Sequence, residues 1–105
     1  MAQLNYPETI QQVFQFHLNH DSQLHAIYDK ERDRYQLLDC HWQGEIHQFG
    51  CTVYVTLEQG KIWIHRDFTE PGIANQLLEA GVPNTDIVLA FHAPNVRQYT
   101  DFAIG

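Results

Sequence analysis

Basic residues are scarce in this chain. Six Lys and Arg stand against thirteen Asp and Glu in 105 residues, which gives a formal net charge of −7 at pH 7. A protein that holds DNA by itself needs clustered Lys and Arg to neutralise phosphates and release counterions. The one local basic group, Lys30, Arg32 and Arg34, alternates with acidic residues between positions 29 and 34. The composition therefore disfavours unaided nucleic-acid binding and predicts that any contact with nucleic acid is indirect.

Cysteines and long apolar runs are scarce as well. Cys40 and Cys51 are too few for a disulfide framework, and their apolar, strand-like surroundings predict buried, reduced thiols. No apolar run approaches the ~20 residues that a membrane helix needs. Residues 1–5 show no basic region followed by an apolar stretch, as a secretory signal would. We expect one domain over residues 1–105, located in the cytoplasm.

The usual signatures of phosphate binding and strand transfer are missing. Neither GxGxxG nor GxxxxGK occurs in the sequence. Tyr99 lies near Arg97, an arrangement that superficially suits a tyrosine recombinase, but such an enzyme needs several arginines around the phosphate. The chain has four arginines in total, so we reject that function.

Seven histidines raise the question of a metal site. No CxxC, HxH or HExxH spacing occurs. A turn at Gln43-Gly44 would place Cys40 opposite His47, with Cys51 on the same face but four residues further along. At ~3.3 Å per residue that separation is roughly 13 Å, too far for one zinc ion with bonds of ~2.0–2.3 Å. We therefore predict no metal and no other cofactor.

Acid–base catalysis is an alternative that the residues leave open. Asp39 and His41 lie on the same side of a predicted strand, and Asp67 follows His65 closely. Pairs of this kind can support proton transfer, although strand ends are normally polar. A small hydrolase or nuclease-like enzyme using Asp39, His41 or His65 is the corresponding hypothesis.

The hydrophobic pattern predicts an α+β fold, a mostly antiparallel sheet of hairpins with two helices in the order α-β-β-β-β-α-β. The first helix covers Pro7–His20, with Pro7 in its first turn. The second covers Gly72–Ala80, with Thr69 as a possible cap and Gly81 just beyond its end. The predicted strands are Gln23–Asp29, Tyr35–Trp42, Glu45–Glu58, Lys61–Asp67 and Asp86–Phe91.

The turns predict a register. A tip at Gln59-Gly60 gives one aliphatic and one aromatic-polar sheet face, as expected of a sheet with helices on one side. Gly50 indicates a bulge or bend within the third strand. The predicted opposite pairs are Leu57 with Ile62, Thr56 with Trp63, Val55 with Ile64 and Tyr54 with His65.

The tail, residues 92–105, carries apolar side chains among polar ones. If extended, it points Arg97, Tyr99 and Asp101 one way and Gln98, Thr100 and Phe102 the other. Aromatic residues and Arg are enriched in interface cores, so we take Arg97, Tyr99 and Phe102, with Trp63 on the open sheet face, as candidate partner-binding residues. Packing on their own domain is the alternative. An exposed hairpin edge and the Trp63 face also suggest self-association.

Three segments carry a resemblance to a known family. They are DRYQLLDCHWQG (33–44), GKIWIHRDFTEPGIANQLLEAGVP (60–83) and DIVLAFHAPNVRQYTDFAIG (86–105). In these blocks, which occur in order at matching length, the chain resembles the XisI family of fdxN element excision controlling factors.

The resemblance implies a function. Members of the family occur in filamentous nitrogen-fixing cyanobacteria, where they control the timed excision of a DNA element that interrupts a nitrogen-fixation gene. The recombinase is a separate protein, and XisI acts beside a companion, XisH, that resembles nuclease-fold proteins. The implied role is therefore an accessory protein with a XisH-like partner, not an enzyme, and no catalytic residue is carried over. A DNA-binding directionality factor is a further alternative.

Overall fold

One five-stranded sheet organises residues 4–105, the part of the chain that the computed structural model describes. The predicted order of helices and strands is confirmed, and a short helix is added in the tail. A 3-10 turn at Asn84–Asp86 precedes the last strand. The elements are α1 (Tyr6–His20), β1 (Leu24–Asp29), β2 (Arg34–Gln43), β3 (Ile46–Glu58), β4 (Lys61–Asp67), α2 (Ile73–Glu79), β5 (Ile87–Leu89) and α3 (Pro94–Arg97).

The strands lie in chain order, β1-β2-β3-β4-β5. The first four form antiparallel hairpins, whereas β5 runs parallel to β4 because α2 carries the chain back across the sheet. Alternate strand residues pack with α1 and α2 in one hydrophobic core on one face of the sheet. The opposite face, which we call the open face, has neither of these helices, although Thr56 and Val88 are buried there. The fully buried strand residues of this core are Tyr35, Leu37, Val53, Val55, Ile62, Ile64 and Ile87.

Helix α1 begins with a side-chain cap. The Asn5 side chain accepts a hydrogen bond from the Glu8 amide at 3.2 Å, and Pro7 occupies the first turn as predicted. The apolar stripe of α1 faces the sheet. His17 at its end is buried, and its Nε2 lies 2.6 Å from the Gln76 side-chain oxygen. This hydrogen bond joins the two core helices.

The β3–β4 hairpin confirms most of the predicted register. Gln59 and Gly60 form the tip with φ of +55° and +75°, as a two-residue hairpin turn requires. The prediction that Tyr54 lies opposite His65 is wrong, because β4 carries one additional residue there and Tyr54 pairs with Arg66. The confirmed pairs are Leu57 with Ile62, Thr56 with Trp63 and Val55 with Ile64.

The predicted register of the β2–β3 hairpin is wrong by two residues. Gln43 pairs with Ile46, so the loop is Gly44–Glu45, and Gly44 takes the positive φ of +62° at its first position. Cys40 consequently lies opposite Phe49, and His47 lies opposite Trp42.

A bulge does occur in β3, but not at the predicted residue. Leu37 pairs with Val53 and Leu38 with Cys51, so the additional residue is Thr52. Gly50 keeps a regular partner, Asp39. A glycine within a strand indicates a tolerance for irregular backbone, and here the irregularity falls two residues later.

The start of α2 differs from the prediction. Thr69 does not cap the helix; its amide and hydroxyl both donate to Asp67 Oδ1, at 2.9 and 2.6 Å. Asp67 Oδ2 instead accepts the Ile73 amide at 2.7 Å, so the carboxylate at the end of β4 stabilises the first turn of α2. Gly81, with φ of +101°, follows the helix end as predicted.

Candidate interaction surface

The tail folds back on the sheet and is not extended. After α3, the Ala103 amide donates to the Ile87 carbonyl at 2.9 Å, and Ala103 forms a single parallel bridge with Val88. Of the two tail conformations that the sequence left open, the structure has the one that packs on its own domain, so the alternation expected of an extended tail does not occur. The helical turn satisfies the local amides, and β5 offers the tail a free edge. The last predicted strand is correspondingly shorter, because the chain leaves the sheet after Leu89.

The structure brings two of the candidate residues, Trp63 and Arg97, together. The Arg97 guanidinium carbon lies 5.5 Å from the Trp63 ring centroid, a cation–π geometry. Arg97 also donates to two backbone carbonyls, His92 at 3.0 Å and Ala90 at 3.3 Å. Trp63 donates from Nε1 to the Glu58 carbonyl at 3.1 Å. Both side chains are thus held in place by their own domain.

The side chains of Phe102 and Tyr99 differ in burial. Phe102 is half-buried and packs against the hydrophobic core, so it anchors the tail. Tyr99 is 83% exposed. We name the exposed apolar residues of this segment the tail patch: Phe91, Val96, Tyr99 and Ile104.

His65 belongs to a small polar chain on the open sheet face. Thr56 donates its hydroxyl proton to Glu58 at 2.7 Å, so its oxygen accepts from His65 Nε2 at 2.9 Å. Burial lowers the pKa of His65, and the positive charges of Arg34 and Arg97 act in the same direction. Together they outweigh the Glu58 carboxylate, which raises it. The arrangement favours a neutral imidazole in a structural role.

Asp39 and His41 are brought together, as predicted. His41 Nδ1 lies 2.6 Å from Asp39 Oδ1, beside a shallow groove of about 390 Å³ that Arg66 and Phe68 also line. Between residues 4 and 105, no hydrogen bond links this pair to His65 or to a hydroxyl or thiol group. The pair can hold and transfer a proton, and Cys51 and Thr52 line the same groove, but no hydrogen bond among the described residues joins the pair to either of them.

Sequence reasoning missed a prominent apolar feature. Pairing of β1 with β2 ends at Asp39, and pairing of β4 with β3 ends at Val53. Residues 40–52 therefore continue as a two-stranded ribbon, which we name the arm. Its Trp42, Ile46 and Phe49 side chains are 67%, 63% and 67% exposed. The signal was available, since Glu45 is the one Asp, Glu, Lys or Arg among these residues.

The arm also carries both cysteines, and the prediction that they are buried is wrong. Cys40 and Cys51 are free thiols and only half-buried. Cys40 Sγ lies 3.4 Å from His47 Nε2, and Cys51 Sγ donates to the Val53 carbonyl at 3.3 Å. Burial raises the pKa of the Cys51 thiol despite the opposing charge of Arg66. No group of three or more His, Cys, Asp or Glu residues within 4–105 is arranged to hold a metal ion.

None of the helices described between residues 4 and 105 combines the length and the apolar character needed to cross a membrane. Several exposed apolar side chains lie singly, such as Phe16 and Phe68, whereas the tail patch and the arm each contain three or more of them. Single exposed apolar residues are common, whereas groups of them mark contact surfaces.

Comparison with known proteins gives a consistent result. The family model described as "XisI protein" matches residues 1–104. The crystal structure of a XisI-like protein from Anabaena variabilis is 32% identical, with a TM-score of 0.88. That of the fdxN element excision controlling factor XisI from the same organism is 37% identical, with a TM-score of 0.81. Each comparison covers 95% of this chain and 96% of the other. No curated protein matches the sequence.

Proposed function

This chain belongs to the XisI family, and on that basis we propose that it controls the excision of a DNA element as an accessory protein, by binding a XisH-like partner and without catalysis of its own. The similar structure from Anabaena variabilis that is named an excision controlling factor supports the regulatory part of this proposal. The mode of action rests on the surfaces of this chain.

The observation that carries the proposal is the exposed Tyr99 on a braced tail. Its side chain is 83% exposed, while Phe102 packs the same segment against the core and Arg97 of α3 lies over the Trp63 ring of β4. A tyrosine on an ordered segment loses little conformational freedom on binding, and Tyr, Trp and Arg are the residues most enriched among interface hot spots. The tail patch is therefore the docking surface that we assign to the XisH-like partner, with Trp63 and Arg97 as its support.

The charges support action through a protein. Arg32, in the one local basic group, forms an exposed ion pair with Asp29 at 3.0 Å, so part of its charge is already balanced. With a net charge of −7, the chain repels the phosphate backbone at long range. A partner that binds DNA would supply the cationic surface that this chain lacks.

The absence of catalysis is supported by the state of the candidate acid–base groups. Within residues 4–105, no hydrogen bond joins the Asp39–His41 pair to the Cys51 thiol or the Thr52 hydroxyl in the same groove, and His65 is engaged with Thr56 on the open sheet face. A regulatory protein that acts by binding a partner does not need catalytically active groups at either of these positions.

A capture experiment tests the proposal. A tagged XisH-like protein should retain the wild-type chain but not the Tyr99→Ala variant. Phe16→Ala is the matched control, because Phe16 is an aromatic residue on α1 that is 45% exposed and lies outside the tail patch. Circular dichroism should show that both variants are folded. Equal capture of Tyr99→Ala and wild type would remove the tail patch from the proposal.

A further inference from the structure

The outer edge of the arm is an unfilled strand position. Phe68 donates its amide to the Thr52 carbonyl at 3.0 Å, and beyond this bond β4 no longer accompanies β3. Within the described part of the chain, no backbone hydrogen bond reaches the outer edge of residues 46–51.

This edge lacks the features that normally prevent strand pairing. Proteins protect free edges with charged side chains, prolines or a covering segment. Residues 46–52 read Ile-His-Gln-Phe-Gly-Cys-Thr, with no proline and no Asp, Glu, Lys or Arg. A segment of this composition is a ready template for β-pairing.

Electrostatics favours this segment as the contact between two copies. Each copy carries a net charge of −7, so two copies repel except where charge is absent. Residues 40–52 contain one formal charge, on Glu45 in the loop at the arm tip. When residues 46–52 of two copies come together, no like formal charges of these residues lie opposite each other.

We propose that two copies of this chain pair antiparallel along residues 47–51, around a two-fold axis at Phe49, so that the two sheets become one. A two-fold axis normal to the sheet keeps every side chain on its own face, so the sequence numbers of paired residues must differ by an even number. The axis therefore passes through a residue, and Phe49 is the middle of residues 47–51, which leaves the Thr52 carbonyl to its bond with the Phe68 amide. The resulting pairs are Phe49 with Phe49, Gln48 with Gly50 and His47 with Cys51, each between the two copies.

The side chains of the arm fit this arrangement. On the open face, the Trp42 and His47 rings lie 4.7 Å apart between centroids, and the His47 and Phe49 rings lie 6.5 Å apart. An axis at Phe49 continues this row of rings into the second copy. It also converts a ribbon of two strands, which is marginally stable alone in water, into four strands. Gly50 has no atom within 4 Å of where a Cβ would lie, so the Gln48 side chain of the other copy has room.

The self-complementary pairing is what distinguishes a second copy from another protein as the occupant. The inference is also independent of the proposed function, because the arm and the tail patch share no residue. Tyr99→Ala should lose the XisH-like partner and remain a dimer, whereas variants of Phe49 should do the reverse. Failure of one proposal therefore leaves the other testable.

Charge reversal at Phe49 tests the axis directly. Sedimentation velocity at tens of micromolar should show a wild-type dimer and monomeric Phe49→Lys and Phe49→Glu variants, with association weakened at least tenfold, because like charges would face each other across the axis. Mixing the two variants should restore a dimer, since Lys then faces Glu. Phe16→Lys on α1 is the matched control and should remain dimeric.

A cross-link provides a second measurement. Directly opposed residues of antiparallel strands have Cα atoms about 4.5–5.5 Å apart, which suits a disulfide. Phe49→Cys in a Cys40→Ser, Cys51→Ser background should therefore form an intermolecular disulfide on mild oxidation. The proposal is overturned if the wild-type chain is a monomer or if the Phe49→Lys and Phe49→Glu variants stay dimeric. It is also overturned if the mixture of these two variants stays monomeric. Capture of a XisH-like protein by the Phe49 edge of a monomer would assign that edge to the heteromeric contact instead.

Discussion

Replacement of Phe102 and of Tyr99 by alanine separates the structural from the exposed part of the tail. Phe102 is half-buried against the core, and Tyr99 is 83% exposed. Truncation of a fully buried Phe to Ala costs about 3–5 kcal/mol of unfolding free energy, so half-burial implies about 1.5–2.5 kcal/mol for Phe102→Ala. Exposed substitutions usually change stability by no more than about 0.5 kcal/mol, which is the expectation for Tyr99→Ala.

Urea unfolding followed by tryptophan fluorescence measures both changes. Trp63 is a suitable probe because Arg97 of the tail lies over its ring. For a domain of about 100 residues, each kcal/mol corresponds to roughly 4–8 °C in the thermal midpoint, so calorimetry gives an independent value. The reasoning is refuted if Phe102→Ala loses less than about 0.5 kcal/mol, or if Tyr99→Ala loses as much as Phe102→Ala.

Three further predictions follow from the contacts described above. Asp67→Ala should lower the unfolding free energy by about 2–3 kcal/mol, because it removes three hydrogen bonds to Thr69 and Ile73. Asp101 is an exposed aspartate whose side chain makes no hydrogen bond within residues 4–105, so Asp101→Ala should leave the unfolding free energy almost unchanged in the same urea titration. The pKa of His65 is below its ordinary value of 6.5, so the unfolded chain binds the proton more readily than the folded one. The free energy of unfolding should therefore fall as the pH drops below about 6.5. NMR titration of His65 checks the direction of the pKa shift, and the free energy of unfolding of His65→Gln should depend less on pH than that of the wild type. The isolated chain should bind duplex DNA with Kd above about 1 µM at physiological salt, and sub-micromolar binding in a mobility-shift titration would reveal a basic patch that the net charge conceals.

Local patterns were sufficient for most of the fold. The apolar stripe of α1 and the alternation of β3 and β4 follow from periodicity, and the Gln59-Gly60 turn has few alternatives once both flanking strands are recognised. The fold class depended on these features alone.

The register errors have a common physical cause. A two-residue turn with one glycine can place that glycine first or second, and Gly44 adopts positive φ at the first loop position whereas Gly60 takes the second. Bulges at Thr52 and near His65 depend on how a twisted sheet meets its neighbours, which a single strand does not encode. The cap from Asp67 to Ile73 likewise joins a strand end to a helix across a loop.

Partner binding by Trp63, Arg97, Tyr99 and Phe102 stays a prediction, but their arrangement can be described. Arg97 lies over Trp63, whereas the tail turns through α3 and directs Phe102 inward. Extended and folded-back tails have similar residue patterns, so only the edge offered by β5 distinguishes them. The arm was missed because a segment poor in charge can be a buried strand or an exposed one, and the exposure of Trp42 and Phe49 follows from where β1 and β4 stop pairing.

Isothermal titration of a purified XisH-like protein into this chain is the decisive test of partner binding through the tail patch. We expect a saturable complex with the wild-type chain and about 30-fold weaker binding to Tyr99→Ala, which corresponds to the loss of a hot-spot residue worth about 2 kcal/mol. Phe16→Ala should bind as the wild type does. No measurable complex with the wild-type chain, or equal affinity for wild type and Tyr99→Ala, would contradict the claim that the protein acts by binding this partner through its tail patch.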